Sequence, residues 1–199
     1  MSGAGLLNLD LTPRQAELAD AVLAVVAREG LPALSFRVVA VEACCSVGSV
    51  QKAFPTKDRM IAAAFARLRQ TAVVLPDGEP GRPTLHAWLV ELAVCILPLD
   101  EPRAAAQRQG DTFAIVAATD SAIAGAIAAS DEHLRGLFAA LIGRAQHEGE
   151  LSAELDPGHA AWGILALLQG AATQMSYQQT SENDARLLVG KALARLLAL

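Results

Sequence analysis

The sequence predicts an all-α protein. Three observations carry that expectation. Apolar residues recur at spacings of three and four, as in Leu18, Val22, Val25 and Val26, or Leu85, Trp88, Leu89, Leu92 and Ile96, so each set lines one helix face. Helix starts recur as well: Thr12-Pro13, Ser35, Ser46, Thr56, Thr84, Asp156-Pro157 and Ser181 each set a capping oxygen ahead of such a run. No β-hairpin signal and no repeat of solenoid period breaks the pattern.

The first helix opens at Thr12-Pro13-Arg14-Gln15, where Gln15 can close a capping box. It ends at Gly30, and Pro32 prevents its continuation. The stretch from Ser35 to Asp58, SFRVVAVEACCSVGSVQKAFPTKD, organises the rest of the chain. It reads as a helix, a tight turn, a second helix and the start of a third. Ser35 caps the first and Ser46 the second. Val38, Val39, Val41 and Ala43 supply apolar surface on the first, and Val47, Val50 and Phe54 share the inward face of the second. Gly48, Ser49, Gln51 and Lys52 are left on the outer face. A short helix with small, polar and cationic residues outward suits the major groove of DNA. Pro55 stops it, and Thr56 caps the next helix, which carries Met60, Ile61, Ala64, Phe65 and Leu68 and runs to about Val74.

Pro76–Pro83, a Pro/Gly cluster, is the clearest loop in the chain. Thr84 caps the following helix, and Pro98 and Pro102 bracket a break. Ala104–Glu148 reads as helical with breaks near Gly110 and Thr119, and Gly149 ends it. Asp156-Pro157 opens a helix that is apolar almost all round, with Ala160, Trp162, Ile164, Leu165, Leu167 and Leu168. Such a helix needs partners on more than one side. Ser181 and Asp184 start the last helix, with Leu187, Leu188, Leu193 and Leu196 expected inward.

At 199 residues, with 53% hydrophobic and 19% charged, the chain has ample material for a core. No apolar run reaches bilayer-spanning length, and Met1–Leu11 lacks the basic start and apolar block of a signal peptide. Cys44, Cys45 and Cys95 are odd in number and without metal-ligand spacing, as expected of a reduced, cytoplasmic protein. The net charge of −5 is unlike a DNA binder, yet Ser35–Arg67 carries Arg37, Lys52, Lys57, Arg59 and Arg67 against only Glu42 and Asp58. Affinity for DNA depends on local cations meeting phosphates rather than on whole-chain charge.

With Gly30, Ser35, Val39-Ala40, Ala43, Ser46, Gly48, Phe54-Pro55 and Lys57-Asp58 in that order, the chain resembles the DNA-binding helix-turn-helix of TetR-family transcriptional regulators from Pro13 to about Leu68. It departs from the family pattern at Gln51, where an aromatic residue is usual, and at Ala53, where His or Tyr is frequent. The stretch GELSAELDPGHAAWGILALLQGAATQ resembles the family's C-terminal domain, with a looser similarity to regulators of the choline-to-betaine pathway.

The resemblance implies about nine helices: a three-helix DNA-binding head over residues 1–56, a connecting helix over 57–74, and a helical-bundle ligand-binding and dimerisation domain over 57–199. It implies a homodimeric repressor that binds a pseudo-palindromic double-stranded operator and is released by a small-molecule effector. The residues expected at DNA are Arg14, Ser35, Arg37, Ser46, Gly48, Ser49, Gln51, Lys52 and Lys57. Those expected around an uncharged or weakly polar ligand are Trp88, Phe113, Trp162 and Gln169. Those expected at a two-fold axis between the last two helices are Trp162, Leu165, Leu168, Gln169, Leu188 and Leu196. A helical ligand-binding or scaffolding protein that has lost specific DNA binding is the alternative, motivated by Gln51 and Ala53.

Enzymatic chemistry has no constellation to support it. There is no HExxH, GxSxG, Walker A or CxxC motif. His86, His133, His147 and His159 form no i, i+4 pair, so no metal site is expected, and no cofactor.

Overall fold

The computed structural model describes residues 11–72 and 75–199. Among the described residues there are nine α-helices and no strand. α1 spans Pro13–Glu29, α2 Phe36–Glu42, α3 Val47–Ala53, α4 Lys57–Ala72, α5 Leu85–Ile96, α6 Glu101–Ala117, α7 Ser121–His147, α8 Pro157–Tyr177 and α9 Glu182–Leu196. A 3-10 turn, Leu31–Ala33, comes directly after α1. The expected end of the fourth helix at Val74 lies outside the described residues.

The capping oxygens act where the sequence places them. Thr12 accepts from the Gln15 N–H at 3.3 Å while Gln15 Oε1 accepts from the Thr12 N–H at 3.0 Å, a closed capping box. Ser35, Ser46, Thr84, Asp156 and Ser181 each accept from the backbone N–H three residues on.

The chain divides into two compact units. One takes in the described residues up to Thr71 together with Arg108–Ser130; the other takes Ala72–Gln107 and Asp131–Leu199. In the first, α1, α2 and α3 pack on one another. Leu18, Val22, Val26, Val39, Val50 and Phe54 are buried there, as are Met60, Phe65 and Leu68 of α4. Burial of that apolar face is why α4 belongs to this unit. Phe113 of α6 meets Phe65 edge-on, with ring centroids 5.6 Å apart.

In the second unit, Leu85, Trp88, Leu89 and Leu92 of α5 share a core with Phe138 and Ile142 of α7, Ile164, Leu165 and Leu168 of α8, and Val189 and Leu193 of α9. Arg82 in the Pro/Gly loop holds Glu148 at the end of α7 through bonds of 2.7 and 2.6 Å, and Arg144 holds Glu79 at 2.8 Å.

Several expectations are corrected. Gly110 does not break α6, which continues to Ala117; nothing lies within 4 Å of a Cβ added there, and a lone helical glycine is tolerated. Pro102 sits in the first turn of α6, where its missing N–H needs no partner. Val41 is 74% exposed, because Val39 and Ala40 take the inward side of the short α2. Val47, the first residue of α3, is exposed rather than docked beside Val50 and Phe54. Leu187 and Leu188 face outward, because Ala185, Val189 and Leu193, at a spacing of four, fill the inner face of α9.

Candidate nucleic-acid interface

α2 and α3 form the helix-turn-helix, and α1 packs against both. α2 ends in a Schellman arrangement: the Cys44 N–H donates to the Val41 carbonyl at 3.1 Å, and the Cys45 N–H to the Ala40 carbonyl at 2.9 Å. Ser46 then caps α3. Val50 and Phe54 anchor α3 inward, so Gly48, Gln51 and Lys52 stand exposed.

Four cations lie on α2, α3 and the start of α4. Arg37 on α2, Lys52 on α3, and Lys57 and Arg59 on α4 are exposed, and none makes an ion pair among the described residues. Arg67, counted in the same basic stretch, is held by Asp20 through bonds of 2.7 and 2.9 Å, and that pairing raises its pKa.

Two of the expected contact residues bind each other. Arg14 donates to Ser49 Oγ at 3.3 Å and to Glu17 at 2.7 Å. The bond to Glu17 is the chief reason its pKa is raised, and the Cys45 sulfur adds a smaller contribution. Arg14 thus orients α3 from α1. Gln15 does the same at the other end of α3, donating from Nε2 to the Ala53 carbonyl at 3.1 Å. Ser35 and Ser46 are exposed caps. Val47 stands exposed at the start of α3 although sequence reasoning does not single it out for DNA; its position directly after the Ser46 cap is the signal available for it.

The four ligand candidates have separate surroundings. Trp88 is 2% exposed in the core with α8 and α9, and its indole N–H has no acceptor among the described residues. Phe113 is buried against Phe65. Trp162 is 61% exposed, and Gln169 reaches both carboxylate oxygens of Asp131 at 3.2 Å. None of the four lines the open groove of ≈ 750 Å³ in the head-containing unit. That groove lies among Gln15, Phe54, Asp58, Arg59, Ala62 and the small residues Gly125, Ala126 and Ala129 of α7.

Of the two-fold candidates, Leu165 and Leu168 are buried in their own unit's core, and Leu196 is half-buried over Gly163, where an added Cβ would lie 3.0 Å from Leu196 Cδ2. Trp162 and Leu188 are exposed. Among the described residues no group of three His, Cys, Asp or Glu side chains gathers as a metal site, and no helix is long and apolar enough to cross a membrane.

Known proteins share this architecture. Residues 83–198 match the C-terminal region of BetI-type transcriptional repressors, a TetR-type domain. A stretch of 67 residues is 34% identical to the HTH-type nicotine-responsive transcriptional repressor HdnoR of Paenarthrobacter nicotinovorans. The match spans 34% of this chain and 34% of that repressor, so it reaches about a third of the relative's length. A TetR-family transcriptional regulator from Rhodococcus sp. superposes with a TM-score of 0.79 at 21% identity, over 92% of this chain and 98% of that one. The multidrug binding protein EbrR, in complex with ethidium, superposes with a TM-score of 0.68 at 23% identity, over 94% and 99%.

Proposed function

The chain belongs to the TetR family of transcriptional regulators, and from that premise we propose that it is a ligand-released repressor that binds a pseudo-palindromic operator as a homodimer in the cytoplasm. The observation that carries DNA binding is the set of four exposed cations on α2, α3 and the start of α4, Arg37, Lys52, Lys57 and Arg59, without an ion pair among the described residues, on a chain of net charge −5. Exposed cations of this kind are available for phosphates. Gln51 on the outer face supplies an amide for an adenine edge, and Val47 an apolar contact for a thymine methyl.

Binding of a labelled operator fragment against salt tests this. Four cations in each of two heads give log K a slope of about −7 against log salt. Replacing Lys57 by Ala should weaken binding to every sequence alike and flatten the slope by about one unit per subunit. No salt-dependent binding of DNA at all would leave the alternative, a helical ligand-binding or scaffolding protein that has lost specific DNA binding.

A buried indole N–H without an acceptor supports the effector half of the proposal. Such a group is rarely left unpaired in a native protein, and an acceptor on a small ligand would satisfy Trp88. EbrR, of similar fold, is a multidrug binding protein. An uncharged or weakly polar ligand carrying an acceptor is therefore expected to change the fluorescence of Trp88 and to lower operator affinity. The Trp88→Phe variant should lose that response. A ligand that releases DNA equally from this variant would place the site elsewhere.

A further inference from the structure

We propose that Cys44 and Cys45 form an oxidisable dithiol in the turn of the helix-turn-helix, which a peroxide closes to a vicinal disulfide that releases DNA. The regulatory part rests on the DNA-binding function proposed above.

Cys44 occupies the position just past the cap of α2 with φ 48°, the left-handed region. Glycine is the usual occupant there, since a side chain is strained in that conformation. An ordinary turn therefore does not ask for cysteine, and a strained residue held in place points to a role for its side chain.

Exposure and surroundings point the same way. Cys44 is exposed, and Cys45 is half-buried directly behind it in sequence. The Cys45 sulfur lies 3.7 Å from the Ser46 carbonyl. A solvent-reachable thiol with a second thiol beside it is the setting in which oxidation becomes site-selective. Cys95, in the other compact unit, is the contrast: burial pushes its thiol up.

The chemistry balances with a hydroperoxide such as hydrogen peroxide as oxidant. The Cys44 sulfur attacks a peroxide oxygen, the O–O bond breaks, and the departing oxygen leaves as water after taking a proton, giving a sulfenic acid. The Cys45 sulfur then attacks the Cys44 sulfur. The S–S bond forms, the S–O bond breaks, and a second water leaves with the Cys45 proton. The dithiol has lost two electrons to the peroxide.

Closure must move the turn. Adjacent Cα atoms are about 3.8 Å apart across a trans peptide, whereas an unstrained disulfide needs about 4.4–6.8 Å. No change of φ or ψ alters that fixed spacing, so the ring closes only under strain, and the strain falls on residues 44–45, whose N–H groups bind the Val41 and Ala40 carbonyls. Ser46, the cap of α3, is the next residue, so α3 is re-aimed away from the groove it must enter. A strained disulfide is also readily reduced, which makes the change reversible.

Full-length protein treated with hydrogen peroxide, then with dithiothreitol, tests this by two readouts: mass of the peptide containing both cysteines, and operator binding. The expected result is a 44–45 peptide lighter by two hydrogens, with operator binding lost on oxidation and recovered on reduction. The Cys44→Gly variant suits the left-handed turn and should bind operator like reduced wild type, with or without peroxide. A Cys45→Ser variant should stop at the sulfenic acid on Cys44, trapped by dimedone. The proposal is overturned if peroxide leaves both thiols free or links them to other chains, if the bridged protein binds operator as well as the reduced form, or if Cys44→Gly loses binding on oxidation. If reduced wild type binds no DNA, the proposed function fails on its own account, and the peptide mass alone decides for or against the dithiol.

Discussion

Gly48 lies inside α3, where glycine costs about 0.5–1 kcal/mol relative to alanine. Among the described residues nothing repays that cost: a Cβ at Gly48 would find Ser46 Oγ at 3.9 Å as its nearest neighbour, and no left-handed φ requires glycine. Under the proposed DNA-binding function, the absent side chain permits close approach of the recognition helix to DNA. Gly48→Ala should then stabilise the protein by about 0.5–1 kcal/mol in urea unfolding while weakening operator binding. An alanine that raised both stability and affinity would remove Gly48 from the interface. Neighbouring Ser49 shows how a single residue escapes sequence reasoning. Its type and place suit a base contact, but its hydroxyl receives Arg14 from 35 residues away.

At the scale of the helix, what was legible was local. Caps act within three residues, so Thr12, Ser35, Ser46, Thr84, Asp156 and Ser181 could be placed from sequence alone. Which apolar residues face inward on a helix of seven residues was less legible, because Val39 and Ala40 suffice to dock α2 and leave Val41 outside. The membership of 108–130 in the same compact unit as the head was not legible at all, since no local pattern records a partner from forty or more residues earlier. The Arg82–Glu148 tie is equally long-range, and it has a consequence for pH. The Arg82 guanidinium, chiefly through its hydrogen bond, holds the Glu148 carboxyl below the ordinary glutamate value of 4.5. A depressed folded-state pKa means that the stabilisation is complete above about 4.5 and is lost as pH falls through the lower folded value. Glu148→Gln should therefore reduce thermal stability more at neutral pH than at an acid pH below 4.5, the difference shrinking as pH falls. Since both side chains are on the surface, the difference is also expected to shrink in high salt. Equal differences at both pH values would show that the tie contributes no pH dependence.

For the whole molecule, the proposed function depends on whether two heads act together. One recognition helix makes too few base contacts for a long operator, and two joined by a two-fold axis read half-sites about 34–36 Å apart. α8 and α9 are paired in one compact unit, and each leaves large apolar side chains in solvent: Trp162 at 61% and Tyr177 at 75% on α8, Leu187 at 55% and Leu188 at 59% on α9. Apolar groups of that size on adjacent helices are expensive to leave wet, and a second copy of the same helices would cover them in a self-complementary contact. A stable contact of this kind should bury more than about 1,000 Å². The choice of substitution decides whether the test is clean. Leu165 and Leu168 lie 6% and 3% exposed within their own unit's core, so a charge at either would disrupt the single chain before it disturbed any partner. Trp162 and Leu188 are exposed, so Trp162→Glu together with Leu188→Glu should leave helix content unchanged. By sedimentation at micromolar concentration, wild type is expected as a dimer and the double variant as a monomer. The monomer should also bind operator far more weakly, because its second head no longer binds at the effective concentration that the first one sets. If wild type sediments as a monomer, or the folded double variant remains a dimer, then α8 and α9 do not carry the two-fold and the heads must be joined through another surface.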